Sequence, residues 1–417
     1  IKTVIYRLAV KLMKNLPYWL FTKELFMPNE NELNIEIASS LSMKWVKITE
    51  INLNPTSSVG IANDLYKKEN EKIYRAILPI MRKKVEQWVT PSAIEVSMSL
   101  FKSHVEGQID KFHMLSDWYK TSVKKNKHIK YSAVLMNAPG NVRGYALSYV
   151  CRRKGIPFMS SQHGVTVEMS KAHNMYNVMF DSSVSDVVFS YNRKIVDVES
   201  NTKFNHSKHY IVGMPMRLIG MKHTKYANKS TCRIVYISTN LYQMGFSISS
   251  KTDYMNARDE QKLVSKVLSK LPYKVCYKTY PADNRRYADT DPVLNDVKIA
   301  KNMNIFSNKV DMRYLISEYN IFVTTGATST LGWPVMSGKP VIFIDNKNKS
   351  PLTDDAYESF SKGMFVFDSE EENFHEKLRV FLSQSFGVIE EQWQDKKFAR
   401  KKMIRKYFSE YEGGAGE

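Results

Sequence analysis

The sequence predicts an α/β protein of two Rossmann-like, doubly wound domains facing a cleft, on three observations. The chain has 417 residues, more than one ordinary core holds, so two domains of roughly 200 residues are expected. From residue 131 onward, short apolar runs alternate with helical patterns, the order that builds parallel sheets. The stretch Tyr319 to Asp345, YNIFVTTGATSTLGWPVMSGKPVIFID, reads as strand, turn, helix and strand, a βαβ-like unit in itself.

Taken in order, the first hundred and thirty residues are mostly helical in pattern, punctuated by Pro17, Pro28, Pro55, Pro79 and Pro91. Tyr131 to Asn137 then reads as a buried strand, Ala138-Pro139-Gly140 as its turn, Asn141 to Lys154 as a helix and Ile156 to Ser160 as the next strand. Asp186 to Tyr191 and His209 to Val212 are further strands, and Gly213-Met214-Pro215 turns the chain. The interdomain connection is expected there, giving domains 1–215 and 216–417. Beyond it, Arg233 to Ser238 is a strand, Arg258 to Leu271 a helix and Lys274 to Thr279 a strand. The Tyr319 to Asp345 unit follows, then an amphipathic helix from Glu371 to Leu382 and a last helix near Gln392 to Phe408.

The turn inside that unit suits an anion. Ile321, Phe322 and Val323 fill a buried strand, and Thr324 to Thr330 then supply Gly326 and a cluster of hydroxyls. Backbone N–H groups at the start of the next helix point outward, and Ser329 and Thr330 add hydroxyl donors. Thr328 or Ser329 also serves as an ordinary N-cap, which is the plainer reading. Position favours the ligand, because open parallel sheets bind theirs just beyond the carboxyl ends of strands. Gly332 to Lys339 is not a P-loop: the spacing is one residue too long, and Pro340 stands where a Ser or Thr would hold magnesium. No G-x-G-x-x-G opens a helix after a strand, so a dinucleotide enzyme is unsupported.

Other strand ends carry candidate chemistry. Ser160-Ser161-Gln162-His163-Gly164 brings a histidine to a strand edge beside glycine, where its pKa of about 6.5 suits a general base or a donor to phosphate. Glu168 is close enough in sequence to act as the acid/base or to orient His163. Ser238 and Asn240 end another strand, and Lys278 and Tyr280 a third, where they would neutralise and hydrogen-bond a phosphate. Arg285 and Arg286 read as solvated loop cations, and Asp289-Thr290-Asp291 lies in a polar stretch before Pro292 rather than after a buried strand. His206 and His209 lack a partner set for zinc, and no metal is predicted.

Sixty-one basic against forty-two acidic residues give a formal charge of +19. Lys396, Lys397, Arg400, Lys401, Lys402, Arg405 and Lys406 crowd one C-terminal segment, interleaved with Phe398, Met403, Ile404, Tyr407 and Phe408. At the other end Ile1, Val4, Ile5, Leu8 and Leu12 share a helical face, with Lys2, Arg7, Lys11 and Lys14 elsewhere. Both segments are candidates for an anionic membrane surface, where each basic residue is worth about 1 kcal/mol; the plain alternative is a solvated helix face. Zinc-finger spacing, RNA-binding aromatics and a recognition helix are all missing, so nucleic acid is not an expected partner. Apolar runs fall far short of the ~20 residues that span a bilayer. Cys151, Cys232 and Cys276 read as buried reduced thiols, and the expected location is cytoplasmic, with attachment to the inner face of the plasma membrane through the basic ends.

The S-S-Q-H-G strand end, the K-T-Y-P element and the D-M-R-Y-L-I-S-E-Y-N, T-T-G-A-T-S-T-L-G-W-P and G-K-P-V-I segments resemble glycosyltransferases of the GT-B fold in bacterial lipopolysaccharide and capsule assembly. The resemblance covers about residues 130 to 370 and is strongest in the C-terminal half. Within that group the chain is similar to transferases of CMP-activated acidic sugars, the Kdo transferases, and more distantly to GT-B sialyltransferases. The resemblance implies an acceptor-side N-terminal domain, a C-terminal domain holding the nucleotide sugar, and a donor phosphate on Ser329 and Thr330. It also implies a glycan or lipid-linked acceptor and no cofactor beyond the CMP-sugar donor. Tyr280-Pro281 stands where the relatives often carry His-Pro, which leaves the nucleotide open.

Transfer without a metal needs amides, hydroxyls and cations aimed at the leaving phosphate, a task for Ser329, Thr330, Lys278 and Tyr280, with Gly326 and Thr328 shaping the turn. The acceptor hydroxyl loses its proton to His163 or Glu168. A retaining double displacement would instead need a carboxylate nucleophile, for which Glu168 and Asp253, in the polar loop SSKTDYMN, are the candidates. Two alternatives stand beside this reading: a CDP-polyol phosphotransferase or nucleotide-sugar epimerase on a similar scaffold, and a non-enzymatic binder of anionic polymer or membrane.

Overall fold

The computed structural model describes residues 2–54, 63–124, 126–171, 181–202, 205–215, 232–238, 253–280, 291–307, 310–347 and 351–411. Their strands form two six-stranded sheets with helices packed against them, the α/β class expected. The first sheet contains β1 (Lys23–Met27), β2 (Val46–Glu50), β3 (Tyr131–Asn137), β4 (Phe158–Ser161), β5 (Val187–Ser190) and β6 (Lys208–Ile211), in the order β2-β1-β3-β4-β5-β6. The second contains β7 (Ile234–Ile237), β8 (Val275–Lys278), β9 (Met303–Phe306), β10 (Ile321–Thr324), β11 (Val341–Asp345) and β12 (Phe365–Asp368), in the order β12-β11-β10-β7-β8-β9. Ile1–Ser161, Met179–Val188 and His206–Lys208 form one compact unit; Gln162–Val178, Phe189–Asn205 and His209–Glu417 form the other. The chain crosses between the units several times.

The second sheet follows directly from its sequence. β7 (IVYI), β8 (VCYK), β10 (IFVT) and β11 (VIFID) are buried at every residue, as parallel strands covered on both faces must be. Ser329–Met336 is the expected short helix, and Gly338 ends it at φ +78, a left-handed conformation that glycine adopts without a Cβ clash.

The N-terminal region is mostly helical, as expected, but it also contributes β1 and β2, two strands that the pattern did not reveal. Their alternation hides polar residues inside: Glu24 and Lys47 are both buried. The Lys47 ammonium donates to the carbonyls of Met13 (3.0 Å), Lys14 (2.7 Å) and Leu16 (2.6 Å), closing the carboxyl end of the Lys2–Asn15 helix. Glu24 accepts from Thr49 Oγ1 at 2.6 Å. The Lys47 ammonium is thus partnered beside a core that contains Leu25, Phe26, Val134 and Phe158, while Glu24 keeps one buried oxygen without a hydrogen bond and burial raises its pKa.

In the first sheet β3 feeds the Val142–Arg153 helix, which Asn141 caps by accepting from the N–H groups of Arg143 (3.0 Å) and Gly144 (3.4 Å). A Cβ at Gly144 would lie 1.9 Å from the Pro139 carbonyl oxygen, so only glycine permits the tight entry. Tyr119, Leu147, Val150 and Cys151 pack this helix into the first core. All three cysteines are buried free thiols, and burial pushes Cys151 up to about 12 and Cys276 up to about 11.

The expected basic C-terminal helix is two helices, Phe386–Asp395 and Lys397–Tyr407. Part of its charge is used internally. Arg400 is buried, stacks 3.8 Å from the Trp393 ring and donates to the Trp393 carbonyl at 2.6 Å. Lys406 pairs with Asp355 at 2.6 Å, and Lys396 donates to the Ser361 carbonyl at 3.0 Å. Lys397, Lys401, Lys402 and Arg405 remain exposed beside Phe398, itself exposed. On the first helix Val10 and Met13 are buried while Leu8 and Leu12 stay exposed. Among the described residues no helix is long and apolar enough to cross a membrane.

Candidate functional site

From β7 the second sheet grows through β8 to β9 on one side, and from β10 through β11 to β12 on the other. The order therefore reverses between β7 and β10, which pair in parallel from Ile234↔Ile321 to Ile237↔Thr324. Such a reversal separates the two neighbouring strand-to-helix turns and opens a crevice at their carboxyl ends. Thr325 to Thr328 leave β10 at that point. Gly326 is buried, its N–H directed at Thr324 Oγ1 at 3.4 Å.

Thr328 sits at the N-cap with extended backbone, but its side chain makes no capping bond. Its carbonyl accepts from Leu331 N at 2.9 Å, while the side chains of Thr328, Ser329 and Thr330 stay half-buried. From Leu331 to Met336 the helix is wholly buried. A rigid, submerged helix thus presents an N-terminus that Thr328 leaves uncapped, together with three hydroxyls.

The loop after β4 packs on this helix start, within the same compact unit. A Cβ at Gly164 would lie 2.7 Å from Ser329 Cβ, and one at Gly332 would lie 2.9 Å from Val165 Cγ2. Both glycines are required for backbone and helix to approach so closely. The loop is held further by an antiparallel bridge between Ser170 and Leu352, by Thr353 N donating to Met169 O (2.8 Å), and by Lys171 N donating to Pro351 O (2.9 Å). Its placement puts His163, next to Gly164 in sequence, near the start of the Ser329–Met336 helix.

His163 is exposed at the surface, yet neighbouring protein crowds it enough to desolvate the ring. Burial first, and then the Arg313 guanidinium, lower its pKa from the ordinary value. The imidazole is therefore neutral near pH 7 and able to take a proton. Arg313 was not singled out in the sequence. It lies 4.7 Å over the Trp333 ring, on the same helix as Ser329, and binds Asp311 Oδ2 at 3.0 Å with about a quarter of its side chain exposed. The signal available was the Asp311-Met312-Arg313 spacing: Asp311 accepts from Arg313 N at 3.0 Å and so caps a short turn that fixes the arginine.

Several expected site residues have other work. Glu168 is completely buried and accepts from Gln162 Nε2 (2.8 Å), Thr166 N (2.9 Å) and Asn192 Nδ2 (2.9 Å). Burial raises its pKa, and these bonds oppose the rise. With no exposed oxygen it anchors the loop and is not an acid/base for a substrate. Asp253 does not lie in a loop: it is the first residue of the Asp253–Lys266 helix, where the helix dipole favours a carboxylate. Ser238 is buried, its hydroxyl paired with the Tyr277 phenol oxygen at 3.1 Å. Lys278 is only 1% exposed, donates to Thr279 O at 2.7 Å and lies 5.6 Å from the Phe306 ring centre. Burial lowers its pKa and the Asp311 charge raises it, so it reads as a strand-end brace. Tyr280 is 42% exposed at the same strand end. Asn240 lies outside the described residues.

No family model and no curated protein matches the chain. Solved structures do. The Staphylococcus aureus MnaA–UDP co-structure aligns with a TM-score of 0.51 at 9% identity, covering 92% of this chain and 95% of that one. A putative UDP-N-acetylglucosamine 2-epimerase from Listeria monocytogenes gives 0.51 at 8% identity, with 95% and 94% covered. The Methanocaldococcus jannaschii UDP-GlcNAc 2-epimerase in complex with UDP-GlcNAc and UDP gives 0.50 at 10% identity, with 87% and 93% covered. At such identities the likeness establishes the fold, the two-domain GT-B type, over nearly the whole chain.

Proposed function

We propose that this protein acts on nucleotide sugars and is a glycosyltransferase that moves a sugar from an activated donor to a growing bacterial surface glycan. One observation carries the reading: Gly164 packs onto Ser329, so a neutral His163, the Arg313 guanidinium and an uncapped helix N-terminus share one edge of the second sheet. The fold shared with proteins solved with UDP or UDP-GlcNAc supports it.

In this reading the donor phosphate rests on the amides of Ser329 and Thr330 and on the hydroxyls of Thr328, Ser329 and Thr330. As the anomeric C–O bond to phosphate breaks, charge grows on the phosphate oxygens, and the helix start and Arg313 stabilise it. His163 takes the proton of the acceptor hydroxyl as the new glycosidic bond forms on the opposite face, so anomeric configuration inverts. Glu168 acts indirectly, by fixing the loop that carries His163. The resemblance to Kdo transferases favours a CMP-activated acidic sugar as donor.

A second reading, UDP-sugar 2-epimerisation, is favoured by the names of the two epimerases above. There His163 would exchange a proton with carbon. The test gives the purified chain CMP-Kdo and UDP-GlcNAc separately, each in deuterated water. Hydrolysis or transfer of the CMP-sugar, lost about 10²-fold or more in the Ser329→Ala/Thr330→Ala double variant, supports the proposal. Deuterium entering C2 of UDP-GlcNAc selects the epimerase. Wild-type turnover by the double variant would defeat both.

A further inference from the structure

The carboxyl ends of β10, β11 and β12 border a second cavity, of about 240 Å³, closed on its other side by the Asp253–Lys266 helix. It is smaller than the ~300–1,000 Å³ typical of sites for drug-sized ligands and suits a single ring rather than a nucleotide. Its unusual member is Asn256, 4% exposed, with neither Nδ2 nor Oδ1 hydrogen-bonded. Among the described residues no other buried side chain leaves two polar atoms unpaired. Its neighbour Glu260 differs: it accepts from Tyr236 OH and Tyr277 OH, both at 2.7 Å. A buried carboxamide without partners weakens the fold, and a group that completes its bonds restores what was lost.

The remaining lining identifies that group. Among the described lining residues the carboxylates Asp259, Glu260 and Glu370 outnumber the basic side chains Lys262 and His375, an acidic balance that disfavours phosphate and acidic sugars. Carboxylates accept from hydroxyls, Asn256 both donates and accepts, and Phe374 supplies an apolar wall for C–H faces. We infer that this cavity binds an uncharged sugar ring, with the Asn256 carboxamide bridging two adjacent hydroxyls. Thr325, where the turn leaves β10, lines one side of the cavity, but the carboxylates and Asn256 give it a chemistry unlike the anion turn at Thr328 to Thr330, and the inference does not rest on the function proposed for that turn.

The test titrates the whole chain with glucose, N-acetylglucosamine, glucuronate and inorganic phosphate, by calorimetry or ligand-observed NMR. The expected result is binding of the neutral sugars, weakened at least tenfold by Asn256→Leu. That variant should keep or raise Tm, because it replaces an unsatisfied amide by an apolar group of similar shape. Glu370→Gln, at the exposed rim, gives a second and smaller weakening should Asn256→Leu fail to fold. Four results would overturn the inference: no neutral sugar binds; glucuronate or phosphate binds as well or better; affinity survives both substitutions; or affinity is lost in Ser329→Ala, which would place the sugar at the phosphate turn.

Discussion

The two sheets treat the same topological feature in opposite ways. In the first the strand order reverses between β1 and β3, and side chains close that edge. Asn29 Nδ2 donates to Asn137 O and Asn137 N donates to Asn29 Oδ1, both at 2.8 Å. Asn31 Nδ2 reaches Ser161 Oγ at 3.2 Å, and Asn137 Nδ2 reaches Ser161 O at 3.2 Å. In the second sheet the reversal between β7 and β10 has no such clasp from Thr328, whose side chain leaves the helix start uncapped. One edge joins its polar groups to one another, whereas at the other Thr328 makes no side-chain cap on the helix start. A doubly wound sheet supplies the crevice; the side chains at its strand ends decide whether that crevice is a joint or a site.

The largest expected effect comes from spoiling the open edge. Gly164→Val drives side-chain carbons into Ser329, lifting the loop and His163 with it. A misplacement of about 1 Å at a catalytic group costs on the order of 10²-fold in rate, so donor turnover should fall by about that much. The accompanying strain of about 1–3 kcal/mol should appear as a lower urea midpoint. Full activity in this variant would show that the glycine contact does not position the base.

Breaking the closed edge should do the reverse. Asn29→Ala strands the Asn137 N–H and carbonyl, a loss of about 1–3 kcal/mol measured by urea unfolding. Nucleotide affinity, measured by calorimetry, should not change. A weakened nucleotide with unaltered stability would reverse the roles given to the two edges.

The smallest effect is in pH. His163 has a lowered folded pKa, so its neutral form predominates through pH 7 and below the ordinary value of about 6.5. The transfer rate should stay level from pH 8 to about 6.5 and fall with a one-proton slope only at lower pH. The stability sign agrees: the contribution is present above the unfolded pKa and is lost as pH falls through the folded one. An acid limb centred above about 6.5 would contradict the depressed value.

The sequence shows the second sheet more fully than the first. β7, β8, β10 and β11 are nearly unbroken apolar runs, so burial on both faces is visible in composition alone. β1 and β2 escaped because Glu24 and Lys47 are buried through partners at distant positions, which no local pattern reveals. The turn before the Ser329–Met336 helix was legible for a similar reason as its strand: glycine, hydroxyls and helix start are contiguous. Arg313 and Asn256 were not legible, since their meaning depends on Trp333 and on an absence of partners respectively. Glu168 shows the opposite error. A carboxylate near a histidine invites a catalytic role, and only three donors around a fully buried side chain show that it is an anchor.

The buried ammonium of Lys47 also bears on the order of events during synthesis. The last carbonyls of the Lys2–Asn15 helix and of Leu16 find their donor in a residue 31 to 34 positions later. As the chain emerges amino end first, that helix terminus stays hydrated and frayed until β2 is made and docked. Completion of the Lys2–Asn15 helix is thereby timed by the second strand, and a nascent fragment that stops short of Lys47 carries that helix with its last carbonyls unmet.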